Sequence, residues 1–403
     1  MMIAMLAFWL SVLLILYSYL GYPLLMHLWS LRRSPPSRRA IIPPSVSILL
    51  VVNNEGPRIG RRIRNLLSLY YPRTQLEILV GSDGSTDDTV ERAMHQGNGV
   101  VVVAYQRRRG KSAVLNDLVR RARGEILVLT DARQTFAADA LIQLIRNFGD
   151  PAVGAVSGAL ILTTRPHSEA VGEGVGFYWR YEKLIRSAES RVDSTVGATG
   201  AIYAIRRELY EPLREDTLLD DVVVPMTIAK KGYRVLFDAE ARAYDRASRS
   251  ASEELARKIR TIAGNFQLFF RDPLLLSPLH NRLWFQTISH KALRLLVPAL
   301  MAAAFVANLM LLTIPAYRWV LAGQLVFYAL ALAGLRQRAL RGDAVASRRS
   351  LALAVPYTVC LLNWAVVVAF VRFLAGTQSA AWDRVTARPI HQRSSPPRVI
   401  GTR

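Results

Sequence analysis

Apolar and polar positions fall into distinct regimes along this chain. From Ile3 to Trp29 the sequence is almost unbroken apolar, and Leu295–Ile314, Trp319–Leu335 and Leu351–Leu374 repeat that character. A helix needs ~20 apolar residues to cross a bilayer, so each stretch predicts a membrane span. Ile3–Trp29 has neither a basic start nor a small-residue cleavage site, which predicts an anchor rather than a removable signal peptide. Between the first and second spans the pattern changes. Val46–Val52, Leu76–Gly81, Val100–Ala104 and Glu125–Thr130 read as strands, the first a continuous apolar run of the kind buried on both faces. Arg61–Leu69, Asp87–Met94 and Lys111–Ala122 have helical spacing, with Ile63, Leu66, Leu67 and Leu69 on one side of the first. Strands alternating with helices predict an α/β domain with a mostly parallel sheet.

Beyond Asp131 the alternation is less regular. A long helix is expected over Ser168–Arg191, a strand over Ala201–Ile205, a helix over Val222–Lys230 and a strand over Tyr233–Phe237. Glu253–Phe270 is amphipathic, and Pro278–Lys291 resembles a second interfacial helix. The expected division is an anchor at 1–31, a water-facing domain at 43–250, interfacial helices at 251–291, membrane helices at 292–376 and a basic tail at 377–403. Ser34–Ser37 reads as a stiff linker and Ser394–Pro397 as part of a loose tail.

The net charge of +22 changes the picture only in part. Arg32, Arg33, Arg38 and Arg39 follow the first span, and Arg336, Arg338, Arg341, Arg348 and Arg349 follow the third. Arginine at the cytoplasmic membrane surface accounts for this excess, placing the central domain in the cytoplasm and Met1 outside. No nucleic-acid reader motif accompanies the charge. The fourth apolar stretch leaves two topologies open. A full span puts the basic tail outside; a re-entrant segment pinched near Pro356 and Asn363 returns it to the cytoplasm. The single cysteine, Cys360, excludes an intrachain disulfide framework, and the histidines lack metal-ligand spacing.

Candidate chemistry sits at the strand ends. Ile78–Asp83 and Ile126–Asp131 are apolar runs that each stop at an aspartate. Ligands of open α/β sheets bind at the carboxyl ends of parallel strands, and an aspartate there can accept from a nucleoside or hold a metal-bound diphosphate. Glu55 lies at the end of the neighbouring strand. Lys111 follows Gly110 at a helix start, where a cation and free backbone amides suit a diphosphate. Asn116 is either a ligand or an ordinary polar position on that helix. Asp220 and Asp221 are adjacent carboxylates whose repulsion can raise one pKa, although Asp before Val222 also suits a helix N-cap. Phe177, Tyr178, Trp179 and Tyr181 are expected in the core rather than at an acceptor sugar.

These motifs occur in a telling order. VSILLVVNNE (46–55), the Tyr71-Pro72 pair, GSDGSTDDT (81–89), RGKSAVLN (109–116), TDARQ (130–134), TGAIYA (199–204), LDD (219–221) and KGY (231–233) follow one another. Over about Val46–Gln267 this order resembles the membrane-bound family 2 glycosyltransferases, the inverting GT-A enzymes that include cellulose, chitin and hyaluronan synthases. The resemblance implies a GT-A fold flanked by transmembrane helices. It implies transfer from a nucleotide sugar, of UDP type, to a glycan or lipid-linked acceptor at the cytoplasmic face of the cell membrane. It also implies other polysaccharide-synthesis proteins as possible partners. By the same resemblance Glu55, Asp83, Lys111, Asn116, Asp131 and Arg133 form the nucleotide-sugar site. Asp221 takes the general-base position beside Asp220, Arg260 belongs to the catalytic set, and Thr199, Gly200 and Arg257 meet the acceptor. Mg2+ or Mn2+ is the implied cofactor, with Asp131 as ligand, but Arg133 stands where the family has the second aspartate of Asp-X-Asp. Either the metal then has fewer protein ligands, or guanidinium neutralises the diphosphate directly. RKIRT (257–261) keeps Arg260 of the family's Gln-X-X-Arg-Trp motif but has Thr261 for the tryptophan, which argues against a processive synthase. A polyprenyl-phosphate acceptor and a non-catalytic nucleotide-binding subunit are the alternative readings.

Overall fold

The computed structural model describes residues 1–33, 42–97, 99–163, 169–246, 251–341, 351–378 and 398–400. The linker Ser34–Ser37, Arg38, Arg39, Arg348, Arg349 and Ser394–Pro397 lie outside these, as do the side chains of Phe177, Tyr178 and Trp179. The chain forms two compact units. One comprises Met1–Arg32, Thr164–Ile185 and Ala247–Gln378; the other comprises Arg33–Thr163, Arg186–Arg246 and Ser379–Arg403. Thr164–Ile185 falls within the first of these units. Polar ties explain this. Tyr181 donates its hydroxyl to the Tyr19 carbonyl at 2.7 Å, and buried Glu182 meets His290 at 3.0 Å and Arg294.

The second unit is a mixed α/β domain. Its strands are β1 (Val46–Val52), β2 (Leu76–Asp83), β3 (Val100–Tyr105), β4 (Ile126–Thr130), β5 (Thr135–Phe136), β6 (Val153–Thr163), β7 (Tyr203–Arg206), β8 (Arg234–Arg246) and β9 (Arg398–Ile400). They form one sheet in the order β5-β8-β6-β7-β4-β1-β2-β3-β9. The β3-β2-β1-β4 half is parallel, as its apolar runs predict. Beyond it β7 runs antiparallel to both β4 and β6, while β6 and β8 are parallel. Ile48, Leu50, Ile63, Leu66, Ile78 and Val80 are fully buried, so this half carries helices on its faces.

Strand β6 had no counterpart in the sequence pattern. Gly154 and Gly158 look like breaks, yet each marks a close approach. A Cβ on Gly154 would lie 2.6 Å from Ile228 Cγ2, and one on Gly158 would lie 2.4 Å from the Ala241 carbonyl oxygen. Strand β8 likewise continues past Phe237 to Arg246.

Among the described residues of the first unit, four helices are long and apolar enough to cross a membrane: Met2–Leu31, Trp284–Met310, Pro315–Gln337 and Ala352–Leu374. Leu6, Trp9, Leu10, Leu332 and Val371 are among their exposed apolar side chains. Phe8 packs edge-on to Tyr317 at 5.4 Å, and Trp9 Nε1 donates to the Tyr317 hydroxyl at 3.1 Å. Helix Leu351–Leu374 runs unbroken through Pro356 and Asn363, and Asn363 bonds back to the Val359 carbonyl at 2.9 Å rather than opening a pinch. Helix Ala251–Arg271 packs Phe266 on Phe370 and Phe373. The separate interfacial helix expected over Pro278–Lys291 does not form. A helix starts at Trp284 and passes through a π-helical stretch, Thr287–Ala292, into Leu293–Met310. Its polar residues Gln286, Thr287, Ser289 and His290 are buried instead of facing a membrane surface.

Candidate active site

The ends of β1, β2 and β4 carry the candidate residues, and hydrogen bonds between the loops fix them. Asn53 donates to the Asp83 carbonyl at 2.7 Å, Asn54 N donates to Ser85 Oγ at 3.1 Å, and Asn54 Oδ1 accepts the Thr86 N–H at 2.8 Å. Glu55 and Gly56 donate their amides to Thr89 Oγ1 and Asp87 Oδ2 at 2.8 and 3.1 Å. Asn54 adopts φ +52°, a conformation open to Asn at little cost. The resulting cleft is lined by Val51, Val52, Asn53, Glu55, Asp83, Arg108, Lys111, Asp131, Ala132 and Arg133.

Asp83 is buried, and both its oxygens accept backbone N–H groups, from Arg109 at 2.6 Å and Gly110 at 3.0 Å. It thereby holds the 107–110 loop against the sheet. Gly84 makes this possible, because at φ +64° its Cβ would lie 2.6 Å from Arg108 N. Glu55 faces the cleft with its carboxylate paired to Arg58 at 2.9 Å.

Lys111 stands at the centre of the charged group. Its Nζ lies 3.1 Å from Asp131 Oδ1 and 3.0 Å from Asp220 Oδ1. It starts the helix Lys111–Arg121, which lies so close to β2 that a Cβ on Gly81 would come within 2.5 Å of Val114 Cγ1. Burial alone would lower the Lys111 pKa, but Asp131, Asp220 and Asp221 outweigh it and hold the ammonium above its usual range. Asp220 also accepts from the buried Tyr203 hydroxyl at 3.2 Å.

Asp221 opens the helix Asp220–Lys230 and leans on the 197–200 loop. Its Oδ2 accepts the Gly200 N–H at 2.9 Å, and its carbonyl accepts the Ala198 N–H at 2.7 Å. Burial, then repulsion from Asp220, pushes its pKa up to about 6, against the opposing pull of Lys111 and the Gly200 N–H. A carboxylate so placed is ionised at neutral pH and is a stronger base than an ordinary aspartate.

The other candidates are distributed differently. Arg133 lines the cleft, with Nη2 3.7 Å from Asp245 Oδ2, while Gln134 donates to the same oxygen at 2.9 Å. Asn116 uses its amide inside the protein: it donates to the Leu213 carbonyl at 2.8 Å and accepts from Tyr210 and Leu213 N at 2.6 and 2.9 Å. Its observed work is to hold the 210–213 loop. Thr199 is buried, and its amide donates to Ser157 Oγ at 3.1 Å. Arg257 and Arg260 lie on helix Ala251–Arg271 of the other unit, where Arg257 pairs with Glu253 at 2.6 Å.

Two participants escaped the motif reading. Tyr203 lies within a quoted motif, yet only the fold shows that its hydroxyl reaches Asp220. Arg62 sits among exposed arginines in sequence, yet it is buried beneath the end of β4. It donates to Thr130 Oγ1 at 2.7 Å and to Asn65 Oδ1 at 2.8 Å, and stacks 4.3 Å over the Phe136 ring. Burial, partly offset by Asp131, brings its pKa down to about 9, so it stays charged at neutral pH. Its only sequence signal is the i, i+3 step from Ile59, which puts it on the apolar face.

The donor set does not fit a protein-held divalent ion. Among the described residues no three His, Cys, Asp or Glu side chains are grouped to hold a metal. Asp131 is already engaged by Lys111, and a cation stands at 133.

A parallel half-sheet with a charged cleft at its strand ends, continued by a mixed half, is the GT-A fold. Residues 47–214 match the glycosyl transferase family 2 model. The chain is 25% identical over 237 residues to poly-beta-1,6-N-acetyl-D-glucosamine synthase of Staphylococcus aureus, covering 56% of each protein. It is 36% identical over 118 residues to beta-monoglucosyldiacylglycerol synthase of a Nostoc species, covering 28% of this chain and 25% of that one. The chain thus spans little more than half the length of the synthase. In structure it is similar to a mannosyltransferase from Pyrobaculum calidifontis solved with GDP-Man and Mn2+. The TM-score is 0.68 at 23% identity, over 91% of this chain and 99% of that one.

Proposed function

We propose that this protein is an inverting membrane glycosyltransferase. It moves a sugar from a nucleotide-sugar donor, a UDP-sugar, to a hydroxyl of a glycan or lipid-linked acceptor at the cytoplasmic membrane face. The observation that carries this reading is Asp221, fixed by the Gly200 N–H beside the Lys111–Asp131–Asp220 group. In the reaction Asp221 accepts the proton of the acceptor hydroxyl while that oxygen attacks the anomeric carbon. The bond from that carbon to the diphosphate breaks, and its electron pair leaves with the nucleoside diphosphate. Lys111 stabilises the charge that develops on the leaving group. Arg32 and Arg33 after the first span support a cytoplasmic site.

The product is short. Thr261, at the place of the family's tryptophan, donates its hydroxyl to the Arg257 carbonyl of its own helix at 3.0 Å and offers no aromatic surface. A donor screen on the purified full chain tests the function, reading nucleoside diphosphate release for each nucleotide sugar with and without membrane lipid. One UDP-sugar is expected to turn over. No release from any donor would overturn the reading.

A further inference from the structure

The mismatch between this site and a divalent ion leads to a specific assignment, which rests on the nucleotide-sugar reading above. We infer that Lys111, Arg133 and Arg108 neutralise the donor diphosphate themselves, as a side-chain clamp that replaces the metal.

The clamp is built from three elements. Lys111 comes from the helix start after Gly110, Arg133 from the turn after β4, and Arg108 from the loop after β3, and all three line one cleft. Each is positioned by something other than a phosphate. Lys111 is set by Asp131 and Asp220. Arg133 is braced by Asp245, which Gln134 also holds. Arg108 belongs to the loop that Asp83 grips through the Arg109 and Gly110 amides.

Charge decides the preference between metal and clamp. Of the carboxylates in the cleft, Glu55 is paired with Arg58, Asp83 with backbone amides and Asp131 with Lys111. A divalent cation would have to displace Lys111 from Asp131 and then sit among guanidinium groups. A diphosphate meets the opposite situation, because guanidinium pairs with phosphate oxygens through parallel N–H bonds. Asp83 thus acts on the donor through the loop it holds, which makes it a positioning residue for Arg108.

The test is UDP binding to the purified full chain by calorimetry, with chelator and then with Mn2+, together with electron paramagnetic resonance of the Mn2+. The clamp predicts the same UDP affinity in both conditions and no Mn2+ immobilised by UDP on the protein. It also predicts that Arg133→Gln and Arg108→Gln each weaken UDP about tenfold, with thermal unfolding unchanged. Affinity that collapses in chelator and returns with Mn2+ would overturn the clamp while leaving the glycosyltransferase reading intact. Full UDP affinity in both folded variants would overturn it as well. Failure to bind UDP, GDP or any other nucleoside diphosphate would overturn both readings together.

Discussion

Gly200 donates its backbone N–H to Asp221 Oδ2 at 2.9 Å, and a Cβ built on Gly200 would stand 3.2 Å from that same oxygen. The glycine therefore both orients the carboxylate and keeps the space above it open. Gly200→Ala should push Asp221 by a few tenths of an ångström. The expected result is kcat reduced about tenfold, because small misplacements of a reacting group are costly. UDP affinity and thermal stability should stay near those of the parent. Unchanged kcat in the folded variant would show that Asp221 tolerates the shift or does not act in the chemical step.

Asp221→Asn keeps the shape and cannot take a proton, so kcat should fall by about 10²–10⁴-fold with donor affinity retained. The pH profile offers a second check. The Asp221 pKa is raised to about 6, so the base is ionised above that pH and lost as pH falls through it. The acid limb of kcat/KM should therefore lie near pH 6. For stability the sign is opposite: protonation relieves a buried charge, so this group costs stability above pH 6 and less as pH falls toward the ordinary aspartate range. A limb near pH 4 would remove Asp221 from the role.

Arg62 carries a buried charge beneath β4, and its Nε has no hydrogen-bond partner among the described residues. Arg62→Ala would leave Thr130 and Asn65 short of a donor and open space against Phe136. A loss of about 3 kcal/mol is expected, from the combined lost hydrogen bonds and packing. Denaturant titration of the purified protein measures it, and a change below about 0.5 kcal/mol would show that the site repacks.

Products made under limiting enzyme should carry one or a few sugars, with intermediates present. A flat aromatic holds a growing chain by stacking, and Thr261 cannot supply that surface. Long polymer beside unused acceptor would show a processive enzyme.

The parallel half of the domain was legible because β1, β2 and β4 are built on apolar runs, and Asp83 and Asp131 mark where two of them stop. Lys111 was legible through its glycine and its place at a helix start. The antiparallel half was not. Gly154 and Gly158 disguise β6, because the contacts that require glycine come from Ile228 and Ala241, far along the chain. Asn116 shows the converse. It occupies a motif position, but its amide is spent on Leu213 and Tyr210, partners that no local pattern reveals. The long apolar helices were legible from apolar length alone, but the polar contacts among their neighbours, with Glu182 on His290 and Arg294, depend on residues distant in sequence.

Lys111 touches Asp131, at the end of β4, and Asp220, which adjoins the proposed base Asp221. In the proposed reaction such a shared ammonium would act as a clock. While the cleft awaits its donor, Lys111 lies beside the acidic pair and keeps Asp221 a weaker base. A diphosphate that draws Lys111 toward itself removes that restraint and adds negative charge nearby, so Asp221 gains basicity only once the sugar is in place. The acid limb of kcat, which reports the donor complex, should then lie at higher pH than the limb of kcat/KM. Such an order of events would hold the base back until the donor is bound.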